Sequence, residues 1–162
     1  MHGISSIGDR LVVSYIDPPG IEVIAVDGRV LHHFDNTNQH FAMPNYLTTS
    51  TDGFIYVSDS IKDRITKLDS SLNLIKTMSS PLLQGPRGVA SVNRNQLLVA
   101  SRNNNRVVLL NTNTGEAFAL LQLKPIRRTP GPLSYNVKEK TIYVANSHRT
   151  TRIHKYKLTN AD

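Results

Sequence analysis

The sequence predicts an all-β fold built from tandem four-stranded antiparallel sheets, which is a β-propeller of about four blades. The first indication is a repeat, because matching residues lie 42 positions apart, such as Ile55 with Leu97 and Arg64 with Arg106. A period of roughly 40–45 residues is typical of propeller blades. The second is that three turn clusters separate four short apolar runs in one unit. The third is that the apolar residues lack the 3.6-residue spacing of helices, which excludes helical repeats.

The predicted strands follow in order along four units and are labelled a to d from the inside of the propeller outwards. Turns rich in Pro, Gly, Asp and Asn separate them, because proline fixes φ and glycine accepts positive φ. The first three units give strands at 3–7, 11–16, 21–26 and 29–34, then 46–50, 54–60, 64–69 and 72–78, then 88–92, 96–102, 106–111 and 116–121. The fourth gives strands at 133–137, 141–147 and 152–158, and no d strand. We therefore expect one propeller domain over 1–162, with blades near 3–35, 45–79, 87–122 and 132–159.

Two stretches carry a family resemblance. Residues 85–111, GPRGVASVNRNQLLVASRNNNRVVLLN, and residues 43–69, MPNYLTTSTDGFIYVSDSIKDRITKLD, resemble NHL repeats. Those repeats typically read Pro-x-Gly, a run of small β-formers, a turn, Ile-Tyr-Val-Ala-Asp-Ser and then Arg-Ile. The resemblance implies an NHL-type propeller, usually of about six blades, of which these four units would be a part. It also implies the C-terminal propeller of tripartite-motif (TRIM) proteins, which recognises RNA or the protein substrate of a ubiquitin ligase.

Composition narrows the class of protein. The chain has 162 residues, which suits one domain, and 19 Lys and Arg against 12 Asp and Glu, for a net charge of +7. Such an excess favours an acidic partner such as nucleic acid. There is no cysteine, which excludes a disulfide framework and a thiolate metal site. No apolar run is long enough to span a bilayer and no signal peptide is evident, so we expect a cytoplasmic protein without a membrane partner.

The cations predict the position of a binding surface. In a propeller, the b–c and d–a loops lie on one end, and the repeat frame places most of the excess positive charge there. Arginine and lysine at this end would contact phosphates, while asparagine amides would read base edges. The candidate residues for binding RNA or a protein partner are Lys62, Arg87, Arg102, Asn103, Asn104, Asn105, Arg106, Lys124, Arg127, Arg128 and Arg149.

A structural role is the alternative for part of this set. Arg64, Arg106 and Arg152 share one repeat position, where we expect them to brace their own blades. Asp59 is the expected partner of Arg64. Ser101 stands at the position of Asp59 in the next unit, so we expect Arg106 to lack such a carboxylate.

Catalytic chemistry is not evident in the sequence. The a strands contain no Asp, Glu or His, and His32 and His33 are adjacent on one strand, so they point to opposite faces and cannot chelate together. We therefore expect no enzyme activity, no metal and no cofactor, with any ligase activity lying in a RING domain outside these residues. The alternatives are a metal-dependent propeller hydrolase or lyase of the lactonase or amidating-lyase type, or a pure scaffold.

The expected partners follow from these features. They are a protein, or single-stranded or structured RNA, together with other blades of a parent propeller. A set of blades with open ends also exposes unpaired strand and apolar surface, which favours self-association.

Overall fold

The computed structural model describes residues 2–123, 129–146 and 153–158, and these ranges contain fifteen β-strands and no helix. Accordingly, no membrane-crossing helix is found among the residues just given. The strands are β1 (Gly3–Ile7), β2 (Arg10–Ile16), β3 (Pro19–Ala25), β4 (Val30–His33), β5 (Pro44–Thr49), β6 (Ile55–Asp59), β7 (Arg64–Leu68), β8 (Leu74–Ser79), β9 (Pro86–Asn93), β10 (Gln96–Ser101), β11 (Arg106–Asn111), β12 (Ala117–Gln122), β13 (Pro130–Asn136), β14 (Thr141–Asn146) and β15 (Ile153–Lys157).

The strands form four separate antiparallel sheets, each made of consecutive strands. Blade 1 is β1–β4, blade 2 is β5–β8, blade 3 is β9–β12, and blade 4 is β13–β15 in the described part of the chain. The innermost strands β1, β5, β9 and β13 contact one another in sequence, so the sheets fan out from a common axis. This arrangement confirms the predicted all-β fold of four propeller blades.

Three inner strands begin earlier than the sequence predicted, and each begins with a proline: Pro44, Pro86 and Pro130. Proline has no N–H to give to a strand ladder, and it is tolerated as the first residue of a strand. The sequence pattern predicts that these prolines lie in the turns before the a strands. In the structure they are the first residues of the a strands.

The hydrophobic core lies between the blades. One cluster joins blades 1 and 2 and includes Val12, Val23 and Ile55, and comparable clusters join blades 2 and 3 and blades 3 and 4. The b strands β6 and β10 are buried along almost their whole length because they are covered on both faces. Complete burial of one Val or Leu side chain contributes about 1.5–3 kcal/mol. Most of the stabilisation therefore depends on neighbouring blades being present.

Glycine allows the inner strands to come close together. A Cβ atom on Gly88 in β9 would lie 2.5 Å from both Gly131 O and Leu133 N of β13. Gly3 in β1 is similarly confined, since a Cβ there would lie 3.1 Å from Asn45 O of blade 2. Any larger residue at these two positions would force adjacent blades apart.

Candidate functional site

The b–c and d–a loops meet on one end of the molecule, as the repeat frame predicts. The Arg102 N–H donates to Gly85 O at 3.2 Å and the Asn103 N–H donates to Gln84 O at 2.9 Å. The Gly85 N–H in turn donates to Asp63 Oδ1 of blade 2 at 2.6 Å, which links consecutive blades. We call this end the loop face, and it comprises residues 36–43, 60–64, 80–87 and 102–106.

Asp59 fixes the loop face in blade 2. Its carboxylate is fully buried and accepts four backbone hydrogen bonds, from Ala42 (2.7 Å), Met43 (3.1 Å), Ile61 (3.1 Å) and Lys62 (3.1 Å). It therefore joins the d–a loop that precedes the blade to the blade's own b–c turn. A carboxylate that accepts several backbone N–H bonds is well stabilised without a cationic partner.

The expected pairing of Asp59 with Arg64 is wrong. Among the described residues, no ion pair joins these two side chains. Arg64 instead donates through Nη2 to His40 O, so the two side chains bind different backbone groups of the same d–a loop. Ser101 performs in blade 3 what Asp59 performs in blade 2, since its hydroxyl accepts from Gln84 N–H at 2.8 Å and bonds to Gln84 O at 3.2 Å.

Three cations of the loop face, Lys62, Arg64 and Arg106, donate hydrogen bonds to neutral oxygen atoms. Lys62 Nζ donates to Gln39 O, and Arg106 Nε donates to Gln122 Oε1 at 2.8 Å. Within the described residues, none of the five cations of this face lies within 4.0 Å of a carboxylate; they are Lys62, Arg64, Arg87, Arg102 and Arg106. Their positive charge is therefore oriented but not neutralised by an ion pair.

Two of these guanidinium groups are incompletely hydrogen-bonded. Arg64 Nε and Arg87 Nε are buried, and neither has a hydrogen-bond partner. Arg87 lies near the start of β9, so it belongs to the innermost strand where that strand reaches the loop face. A buried donor without a partner is uncommon and calls for a local explanation such as a ligand or ordered water.

The three consecutive asparagines have different surroundings. The Asn104 amide donates to Leu82 O at 3.0 Å, and Asn105 adopts a φ of 55° while its carbonyl accepts from Leu123 N–H at 2.8 Å. Asn103 is exposed. The loop therefore uses Asn104 and Asn105 to hold its own shape, and Asn103 is the exposed member, with its amide group lying next to Gly85.

Four predicted site residues lie outside the described residues: Lys124, Arg127, Arg128 and Arg149. Their contribution to the loop face stays a prediction.

The ionisation of His40 is affected by burial and by the cations of this face. Its Nε2 lies 3.2 Å from Thr66 Oγ1, and its carbonyl binds Arg64. Burial, followed by the positive charges of Arg64 and Lys62, lowers the pKa of His40 below its ordinary value of 6.5. Burial is the largest of these causes, and the charges of Arg64 and Lys62 act in the same direction, so protonation of the His40 ring is disfavoured.

Sequence reasoning missed a second basic surface at the opposite end of blade 4. Lys138 and Lys140 of the a–b turn and Lys155 and Lys157 of β15 line a cleft of about 460 Å³. Glu139 also lines this cleft. Its carboxylate accepts a hydrogen bond from Tyr143 OH at 3.1 Å and lies 3.8 Å from Lys155 Nζ. The repeat frame assigns only the loops to an end of the molecule, so it does not indicate that Lys155 and Lys157 of β15 lie beside the lysines of the turn. We call this surface the lysine cleft.

The histidine prediction is consistent with the strand register. His33 pairs with Glu22 and His32 pairs with Val23, which places the two side chains on opposite faces of blade 1. In the part of the chain that the structure describes, no three His, Asp or Glu residues converge to hold a metal ion.

Comparison with known proteins adds evidence on the fold. No family model matches the sequence, and no curated protein matches it. Among solved structures, the nidogen–laminin complex matches with a TM-score of 0.78 and 15% identity, covering 96% of this chain and 60% of that one. A catalytically inactive virginiamycin B lyase from Staphylococcus aureus with quinupristin matches with a TM-score of 0.73 and 15% identity, covering 96% of this chain and 55% of that one. A streptogramin B lyase structure matches with a TM-score of 0.73 and 17% identity, covering 99% of this chain and 55% of that one.

The expectation that the chain is not an enzyme is corrected by these comparisons. The virginiamycin B lyase and the streptogramin B lyase just described are enzymes, and this chain spans about 55% of the length of each. A propeller supports different functions through different loop residues, so the absence of a motif in the a strands is a poor reason to exclude catalysis. The NHL repeat type is likewise not shown by these structures. At the identities found, the likeness establishes the β-propeller fold of this chain.

Proposed function

We propose that this chain is a recognition module that binds RNA through the loop face. The observation that carries the proposal is the set of five described cations without a carboxylate partner, three of which (Lys62, Arg64 and Arg106) donate to carbonyl or amide oxygens. Phosphate groups are the natural counterions for such a surface. The acidic residues within or next to the loop face in sequence are Asp35, Asp59 and Asp63, and each of them accepts at least one backbone N–H group.

The arginines suit phosphate recognition better than a diffuse positive surface would. Arg106 is oriented by its Nε bond to Gln122, and no other described residue forms a hydrogen bond with its Nη groups. A guanidinium fixed in this way loses little side-chain entropy when it binds a phosphate in a bidentate manner. The exposed amide of Asn103 lies between Arg102 and Arg106 in sequence and would contact a base edge. Lys124, Arg127, Arg128 and Arg149 belong to the same proposal through their positions in the repeat frame.

A salt titration of RNA affinity tests this proposal. For single-stranded RNA, the plot of log K against log salt should have a slope of about −0.7 for each phosphate neutralised. The double variant Arg102→Gln, Arg106→Gln should bind more weakly and make the slope shallower by about 0.7 per lost contact. Arg94→Gln is the matched control, because Arg94 is exposed on an a–b turn at the opposite end of blade 3.

Three outcomes separate RNA from a protein partner. A steep slope that falls in the double variant and not in the control supports RNA. The absence of binding at low salt overturns the RNA proposal, and binding of an acidic protein by the same arginines would then replace it. A slope unchanged in the double variant shows that the loop face is not the contact surface.

We also propose, from the NHL-like repeats alone, that the chain is the recognition part of a TRIM ubiquitin ligase. The support is the resemblance of residues 43–69 and 85–111 to those repeats. The coding sequence that flanks these 162 residues in the source genome tests it. Paired Cys and His residues of a RING or B-box would support the proposal, and a flanking sequence without them would overturn it.

A further inference from the structure

A second cleft lies on blade 1, on the face turned away from blade 2. It has a volume of about 690 Å³ and forms where β2 and β3 meet the loop that follows β4. Tyr15, Pro18 and Pro19 supply an apolar wall, while Glu22 and Asp35 supply carboxylates. A volume of this size is within the range of about 300–1,000 Å³ that is typical of small-molecule sites. We call it the acidic cleft.

Glu22 is the central polar group of the acidic cleft. Its Oε2 accepts a hydrogen bond from Tyr15 OH at 2.9 Å, and its Oε1 lies 3.4 Å from His33 Nδ1. The Glu22 side chain is 22% exposed, so the carboxylate is partly shielded from water and yet open to the cleft. Partial shielding strengthens its attraction for a cation compared with a fully solvated carboxylate.

The loop that closes the acidic cleft is held rigidly. The Asn36 amide donates to Pro19 O at 3.0 Å and to Phe41 O at 3.1 Å, and Asn36 Oδ1 accepts from Phe41 N–H at 2.7 Å. Asp35 at the rim accepts from Thr37 N–H at 2.9 Å, and this bond lowers the pKa of Asp35. The cleft is therefore already shaped, and a ligand would not have to order it.

The charge of the acidic cleft is opposite to that of the chain. The net charge of the chain is +7, but the residues lining this cleft include two carboxylates and no Lys or Arg. An anion that binds the loop face would be repelled here. The apolar wall favours a ligand with a hydrocarbon stem. The ring of Tyr15 favours a cation, because the face of an aromatic ring attracts positive charge.

We propose that the acidic cleft binds an organic cation, an alkylammonium or alkylguanidinium group with Glu22 as its counterion. Both a free amine and the side chain of a basic residue in a peptide carry this chemistry. The stem would pack on Pro18 and Pro19, and the charged head would lie against the Glu22 carboxylate, which keeps its hydrogen bond from Tyr15 OH.

Calorimetric titration with agmatine tests the proposal, because agmatine carries a guanidinium and an ammonium on a four-carbon stem. n-Pentanol is the neutral probe, and a blocked Gly-Arg-Gly tripeptide distinguishes a peptide side chain from a free amine. We expect agmatine to bind and pentanol to bind at least tenfold more weakly. Equal affinity for the two probes overturns the proposal.

Variants locate the site. Glu22→Gln should weaken agmatine binding at least tenfold, and Asp35→Asn, at the exposed rim, should weaken it about threefold. Glu116→Gln is the matched control, because Glu116 is an exposed carboxylate on the c–d turn of blade 3. Circular dichroism melts verify that each variant is folded. Wild-type affinity in a folded Glu22→Gln or in Asp35→Asn overturns the assignment, and RNA binding should be unchanged in both.

Discussion

At the scale of single residues, Asp59 is the side chain on which the loop face depends most. Replacement by alanine leaves four backbone N–H groups of two loops without their acceptor. We expect Asp59→Ala to lower the free energy of unfolding by about 3 kcal/mol, since hydrogen bonds to a buried charged group are among the stronger ones. Asp52→Ala, at an exposed turn position, should change it by less than about 0.5 kcal/mol in urea denaturation.

A double-mutant cycle between Asp59 and Arg64 distinguishes this role from an ion pair. The two side chains bind different backbone groups, so Asp59→Ala and Arg64→Ala should be additive to within about 0.5 kcal/mol. A coupling energy well above this value would restore the ion pair that the sequence suggested.

His40 makes the stability of the loop face dependent on pH. Burial and the charges of Arg64 and Lys62 lower the pKa of folded His40 below 6.5, so the unfolded chain binds the proton more readily. The stability that His40 contributes is therefore present above pH 6.5 and is lost as the pH falls through its folded pKa. As the pH is lowered from 6.5, the urea midpoint of unfolding should decrease in the wild type, and the decrease should be smaller in His40→Gln. Equal falls in both proteins would contradict the assignment.

At the scale of elements, the strands were predictable and the contacts between loops were not. Apolar runs such as 96–101, bounded by turn residues, predicted the strands. A strand that is covered on both faces is apolar along its whole length, so it stands out clearly from the polar turns beside it. The partner of Asp59 was missed, because a carboxylate that accepts backbone N–H groups of a loop leaves no pattern in side-chain types. The lysine cleft was missed because it combines a turn with alternate residues of β15.

The contact between inner strands gives a prediction at this scale. Gly88→Ala should lower the free energy of unfolding by about 1–3 kcal/mol, because the new Cβ would lie 2.5 Å from the backbone of β13. Gly20→Ala is the matched control, since its nearest neighbour would be 3.8 Å away. Similar losses in both variants would show that chain entropy, not the approach of blades 3 and 4, decides the effect.

At the scale of the whole molecule, blades 1 and 4 each have one face that no other described blade covers. The face of blade 1 carries the acidic cleft, and on the face of blade 4 Ile153 is 67% exposed. Such an exposed apolar side chain favours association between copies. Sedimentation velocity should show concentration-dependent association that Ile153→Lys weakens. Ile75→Lys, on the outer strand of blade 2, should leave it unchanged. A monomer at all concentrations would contradict this prediction.

The central claim is that the loop face is where this propeller contacts an anionic macromolecule. Ultraviolet crosslinking to single-stranded RNA, followed by mass spectrometry of the linked peptides, tests it most directly. We predict adducts within residues 60–64, 86–87 and 102–106. Adducts confined to the lysine cleft, at residues 138–140 and 155–157, would contradict the claim and assign the anion to the opposite end of the molecule.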